Sequence, residues 1–178
     1  LQYGHQSLGG VMTMYKFANL EHTAVTNLET GVTNITRFSP GWEQYVVWLG
    51  AGGVTEPFMT EKEARDSVWE KIKAERDKRK NGGFKVGEKW FHSDTESRIQ
   101  QIGLMMAGAA VPAIPWKTMD GSFQTMSQAL AGQIFQAAFA LDSALFQKAE
   151  EHKVLMEGSP DPLNYDYSTG WPENFFGL

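Results

Sequence analysis

The 178-residue chain contains no cysteine. That excludes a disulfide framework, a thiolate nucleophile and a thiolate metal site. Positive charge is also short: 16 Lys and Arg stand against 21 Asp and Glu, a net charge of −5 with a pI near 5.4. A nucleic-acid binder needs a basic face to neutralise phosphates, so no nucleic-acid partner is expected. No unbroken apolar run approaches the roughly 18–20 residues that span a bilayer, and no membrane association is expected. The first residues lack a basic region followed by an apolar stretch, so they do not read as a signal peptide. H-E-x-x-H, a Walker loop, a dinucleotide fingerprint and a G-x-S-x-G elbow are all missing. The expectation is a protein with no catalytic residues, no cofactor and no metal.

What is present suffices for a buried core: 42% hydrophobic and 12% aromatic residues. Three segments are expected. Residues 1–13 are polar and glycine-rich, a flexible or upstream extension with Met12 or Met14 as a candidate start. Residues 14–58 form an N-terminal appendage of weak strands and one short helix. Tyr15 and Phe17 alternate, Thr23–Thr26 is β-prone, and Glu29-Thr30-Gly31 offers a turn before residues 32–36. Ser39-Pro40 marks a helix start, with Trp42, Tyr45, Val46 and Leu49 on one face and Gly50–Gly53 as the stop.

Residues 59–178 read as one helical and hairpin-containing domain. Thr60 and Glu63 form a capping box, and 14 of the 20 residues from Glu61 to Lys80 are charged. The thin stripe Ala64, Val68, Trp69, Ile72 predicts a rod that packs through its N-terminal half only. Residues 84–91 fold about Gly87-Glu88 as a hairpin, with Phe84 opposite Phe91 and Lys85 beside Trp90 as a cation–aromatic pair. Ser93 and Glu96 make a second capping box. Ile99, Ile102, Gly103, Met106, Ala109 and Ala110 form the expected buried stripe of the next helix, which Pro112 ends. Asp120-Gly121 signals a type I′ hairpin across residues 116–125, and both hairpins are expected in the core, since Phe84, Trp90, Phe91, Trp116 and Phe123 are too large to be left exposed. Ser127 caps the longest helix, whose stripe is Leu130, Ile134, Ala138, Leu141, Leu145, Ala149, His152 and Met156. Phe135, Phe139 and alanines spread apolar surface further round it, which suits either the spine of the domain or contact with a second copy. The fold class is α+β: a helix-dominated domain with two short β-hairpins packed around a long C-terminal helix, plus the small appendage.

His92-Ser93-Asp94 holds the letters of a catalytic triad, but neighbouring side chains diverge where a triad must converge, so Ser93 and Asp94 read as cap residues. Glu150, Glu151 and His152 do not share a helix face and so do not aim at one metal. Trp90, Trp116 and Trp171 could stack on sugars; core packing is the reading preferred. The C-terminal segment is denied helix by Pro160, Pro162 and Pro172 yet carries Tyr165, Tyr167, Trp171, Phe175 and Phe176, which are the candidate partner contacts.

Three stretches, IKAERDKRKNGGFKVGEKWFHSDTESRIQQIGL, WKTMDGSFQTM and YDYSTGWP, resemble a small domain of unknown function that recurs in tail-fibre-region proteins of tailed phages and prophages. Tyr45-Val46-Val47-Trp48-Leu49 followed by Glu56-Pro57 is similar to a YxxWL…EP module found upstream in such proteins. The resemblance implies a non-enzymatic structural or accessory protein at the tail tip, baseplate or fibre attachment. Its partners would be other phage tail or fibre proteins, and its place the virion, assembled in the bacterial host cytoplasm. The rival readings are a tail-fibre assembly chaperone and, behind it, a small cell-surface-glycan hydrolase.

Overall fold

A computed structural model of the protein describes residues 14–110 and 113–177. The expected extension at 1–13 and the helix stop at Pro112 lie outside the described residues. The chain divides between Ala64 and Arg65 into two compact units.

In the first unit, β1 (Tyr15–Phe17), β2 (Ala24–Asn27) and β3 (Ile35–Thr36) form an antiparallel sheet in chain order, with Tyr15 opposite Asn27 and Val25 opposite Ile35. The Asn27 carboxamide oxygen accepts from the backbone N–H groups of Glu29 and Thr30, both at 2.9 Å, which builds the turn where the sequence placed it. Helix α1 (Trp42–Gly50) starts later than Ser39-Pro40 implied. Gly41 occupies the N-cap, and the Ser39 hydroxyl instead accepts from the Thr36 N–H at 3.1 Å. The buried face is Trp42, Tyr45 and Trp48 rather than Val46 and Leu49, which are exposed. The Tyr15 and Tyr45 rings lie 5.1 Å apart, and the Tyr45 hydroxyl is 2.9 Å from that of Thr55. Glu56 then pairs with β1: its N–H donates to the Tyr15 carbonyl and its carbonyl accepts from the Phe17 N–H, each at 2.9 Å. Tyr45, Trp48 and Glu56 of the YxxWL…EP pattern thus help hold this small core together, while Leu49 and Pro57 are exposed.

Helix α2 (Glu61–Lys80) opens on the expected capping box, with the Thr60 N–H donating to the Glu63 carboxylate at 2.8 Å. Val68 and Ile72 are buried as their stripe implies. The helix does not pack through its N-terminal half alone, because Arg79 near its far end is buried as well. Strands β4 (Phe84–Val86) and β5 (Lys89–Phe91) pair in the expected register, Phe84 with Phe91 and Lys85 with Trp90. Gly87 takes φ 59°, the conformation a primed hairpin turn demands at its first central residue. Lys85 is not a cation over Trp90: its ammonium lies 3.9 Å from Glu88, while the Trp90 ring meets the edge of Phe175.

Helix α3 (Thr95–Ala107) is capped by Asp94, which accepts from the Ser97 N–H at 2.9 Å. Ser93 has another use. Its buried hydroxyl donates to the Lys80 carbonyl at 2.7 Å and accepts from the Gly83 N–H at 2.8 Å, tying the end of α2 to the hairpin. The expected buried stripe of α3 faces the wrong way. Ile99, Ile102 and Met106 are exposed, Met106 by 84%, while Gln101 is buried and Leu104 packs on the core. Polar contacts set this rotation. Gln101 donates to the His92 carbonyl, and Arg98 forms a two-pronged ion pair with Asp142 at 2.8 and 2.9 Å.

Strands β6 (Ile114–Lys117) and β7 (Phe123–Met126) form the second hairpin, shifted by one residue from the two-residue turn expected. Thr118 and Ser122 close a three-residue loop, with Gly121 alone at positive φ. A type I′ turn would need positive φ at Asp120 too. Its carboxylate instead accepts from the hydroxyls of Thr118 and Ser122, both at 2.6 Å. A one-residue slip moves side chains to the opposite face, and Phe123, expected in the core, is 64% exposed.

Helix α4 (Gln128–Glu157) is capped by Ser127 and runs as expected. Its inner stripe packs the domain: Ala131, Ile134 and Ala138 against Phe84, Phe91 and Met126, then Ala149 and Met156 against Val68 and Ile72. The fold is α+β, with both hairpins and α3 gathered on this helix. By length and composition α4 is also long and apolar enough to cross a membrane, which unbroken runs did not suggest.

Candidate functional site

The C-terminal segment carries the five aromatic candidates, and the structure separates them. Beyond a 3-10 turn at Pro162–Asn164, Tyr165, Tyr167 and Trp171 pack against the cluster of Val68, Ile72, Ala149 and Met156. Phe175 turns its ring toward Trp90 at 6.2 Å, and its N–H donates to the Gly82 carbonyl at 2.9 Å. Phe176 remains 63% exposed. Asn174, just before them, is buried against Gly82, where even a methyl group would come within 2.7 Å of the asparagine Cβ.

At the centre of this docked segment is His152, buried on the inner stripe of α4. Its Nε2 lies 3.0 Å from the Thr169 carbonyl and its Nδ1 2.8 Å from the Tyr165 hydroxyl. A carbonyl only accepts, so Nε2 carries the proton and Nδ1 accepts from Tyr165. The Trp171 ring sits 5.0 Å from the imidazole, and its indole N–H donates to the Tyr167 carbonyl at 2.7 Å. Arg79 completes the seat. Its guanidinium lies 5.5 Å from the Trp171 ring, bonds Glu75 at 2.6 Å and reaches the Ser168 carbonyl. The unexpected burial of the far end of α2 follows from this contact.

Burial pushes the His152 pKa below its ordinary 6.5 and Lys148 adds to the effect, while the Thr169 hydrogen bond, Glu151 and Asp166 oppose it. Burial likewise raises the Tyr165 phenol. The neutral ring therefore belongs to the folded state. As pH falls through about 6.5 the unfolded chain takes up this proton first, so stability present in full above that pH is lost below it. The carboxylates held low by hydrogen bonds, Asp94 and Asp120 among them, act only below their ordinary 3.8. The melting temperature is therefore expected to fall between pH 7.5 and 5, and His152→Asn to be less stable at pH 7.5 but flatter across that window. A variant with the same slope as the parent would show that His152 is not the titrating group.

Chemically this arrangement is a clasp. Both imidazole nitrogens are engaged, leaving none to take a substrate's proton. His92, Ser93 and Asp94 do not converge: the Ser93 hydroxyl and Asp94 carboxylate take the separate partners given above, and the His92 carbonyl receives Gln101. Among the described residues no group of three His, Asp or Glu could hold a metal ion. A polar cluster of Lys89, Asp120 and Ser122 around the buried Thr118 was missed in the sequence. Lys89 donates to Asp120 at 2.9 Å and to Ser122 at 2.7 Å, pinning one hairpin to the other. The hydroxyls of Ser122 and Thr118, followed by Lys89, hold the Asp120 carboxyl well below the usual carboxylate range.

Exposed apolar side chains lie elsewhere on α4. Phe146, Val154 and Leu155, with Gln147, Glu150 and Glu151, line a shallow depression of about 760 Å³. Toward the other end, Ile102, Phe135 and Phe139 line a groove of about 140 Å³ floored by Gln101 and Ala138, with Arg98 and Asp142 at its end.

A family model described as a domain of unknown function, DUF4376, matches residues 63–169. No curated protein and no solved structure matches the chain.

Proposed function

The chain belongs to the DUF4376 family of domains of unknown function, and on that footing we propose that it is a non-enzymatic structural or accessory protein of a phage tail. It sits at the tail tip, baseplate or fibre attachment and works through contacts with other tail or fibre proteins. Its place is the virion, and it is assembled in the bacterial host cytoplasm. The support is the likeness of residues 72–104, 116–126 and 165–172 to domains of tail-fibre-region proteins, most of which falls within the family match. The structural observation that favours a contact protein is the row Phe146, Val154 and Leu155, apolar side chains exposed together on one flank of α4. Surfaces of that kind mark binding sites more often than they serve folding.

Quantitative mass spectrometry of purified particles tests the reading. The expected result is the protein at fixed stoichiometry with other tail components. Its absence from mature virions, with recovery on the fibre protein in assembling lysates, would make it a tail-fibre assembly chaperone. Glycan cleavage by the purified protein, abolished by His92→Ala, would overturn the non-enzymatic reading altogether.

A further inference from the structure

Helix α4 carries two seams. The inner one, Ala131, Ile134, Ala138, Leu145, Ala149, His152 and Met156, is buried in its own domain. The second runs beside it through Phe135, Phe139, Asp142 and Phe146, spaced four, three and four residues apart. That is the spacing by which a helix presents one stripe to a second helix. The aromatic residues of this seam are exposed, Phe139 by 71%. Helix α3 continues the surface, because its rotation turns Ile99, Ile102 and Met106 outward. Between the two helices runs the 140 Å³ groove that Ile102, Phe135 and Phe139 line.

We propose that this α3–α4 face is a two-fold interface with a second copy of the chain. Three features select that occupant. First, the face carries both halves of a fit: a protruding ring, Phe139, and an apolar groove beside it. An isologous interface needs knob and hole on the same patch, so that each copy fills the other. Second, residues near a two-fold axis meet themselves, so an unpaired charge there would repel its twin. The charges bordering this groove, Arg98 and Asp142, are already closed on each other by two hydrogen bonds. Third, the exposed apolar side chains of the two helices, Ile99, Ile102, Met106, Phe135, Phe139 and Phe146, extend over several turns, as an interface that buries roughly 800 Å² per partner requires. A bilayer suits the face less well, although α4 is long and apolar enough by composition. Gln133, Gln136, Ser143 and Gln147 are exposed around the same helix, and its inner seam holds the domain together. The inference does not depend on the phage-tail reading.

Sedimentation velocity of the full chain at tens of micromolar should give twice the 19.9 kDa chain mass. Ile102→Glu and Phe139→Glu, each at an exposed position, should return it to the monomer with an unchanged circular dichroism spectrum. Should a glutamate variant fail to fold, Ser143→Cys decides, because it is exposed one turn along α4 from Phe139 and leaves that ring in place. The parent has no cysteine, so a short bis-maleimide should join two chains through that thiol alone and give a covalent dimer. A wild-type protein that stays monomeric, a dimer that survives both glutamate substitutions, or a Ser143→Cys protein that does not cross-link overturns the proposal. A monomeric wild type that floats with phosphatidylcholine vesicles, while Phe139→Glu does not, would assign the face to lipid instead.

Discussion

Phe91→Ala is expected to destabilise the second unit by about 3–5 kcal/mol, the usual cost of truncating a fully buried aromatic residue. Phe123→Ala, in the neighbouring hairpin, should stay within about 0.5 kcal/mol of the parent. Phe91 has no exposed surface; its ring lies 6.4 Å from that of Phe84 and packs with Met126, Ala131 and Ile134. The two hairpins look alike in sequence, each a tight turn flanked by aromatic residues, and a reading from composition would give both phenylalanines the same weight. A small domain has only about 5–15 kcal/mol in total. Phe91→Ala should therefore lower the melting temperature by on the order of 10–20 °C. Thermal melts of the two variants followed by near-ultraviolet circular dichroism make the comparison. Equal melting temperatures would mean that the β6–β7 register, and with it the outward placement of Phe123, is wrong.

The contrast between the hairpins shows where a sequence can be read locally. At β4–β5 the turn residues and the apolar positions agree, because Gly87 fixes the turn and puts Phe84 and Phe91 on one face. At β6–β7 the Asp-Gly pair marks a turn correctly, but Thr118 and Ser122 compete for the Asp120 carboxylate and lengthen the loop by one residue. Helix α4 was legible from end to end because Ser127 caps it and its stripe repeats over many turns. Helix α3 was not: its apolar spacing points to one face, whereas Arg98 is drawn to Asp142, 44 residues away, and Gln101 to the His92 carbonyl. No local pattern encodes those partners. Asp94 alone, and not Ser93, caps α3 for the same reason, since the Lys80 carbonyl that Ser93 satisfies belongs to another helix. One signal in the candidate site was available. A histidine on the inner stripe of a helix has two ring nitrogens to satisfy, and the nearby Tyr165 hydroxyl is a natural donor.

Deleting residues 163–178 is expected to unfold the second unit, whereas deleting residues 173–178 should leave it folded but weaker. The longer deletion removes Leu163, Tyr165, Tyr167 and Trp171 and opens the cluster of Val68, Ile72, Ala149 and Met156 to water. It also takes both hydrogen-bond partners from His152, and the Ser168 carbonyl and Trp171 ring from Arg79. Two or three aromatic truncations at about 3–5 kcal/mol each match or exceed the whole stability of a small domain. The shorter deletion gives up the Phe175 hydrogen bond to Gly82, the ring contact with Trp90 and the buried Asn174. That loss is on the order of a few kcal/mol, within what the domain can bear. Urea titration separates the outcomes: a broad or absent transition for the longer deletion, and a cooperative one at lower urea for the shorter. Tyr165→Phe isolates the clasp from the packing. It removes only the hydroxyl that donates to His152 and should cost about 1–3 kcal/mol, the penalty of leaving a buried acceptor unpaired. If the longer deletion unfolds at the same urea concentration as the intact protein, the docked segment contributes nothing to the fold. Its aromatic residues would then be free to serve a partner, as Phe176, exposed at its end, is already placed to do.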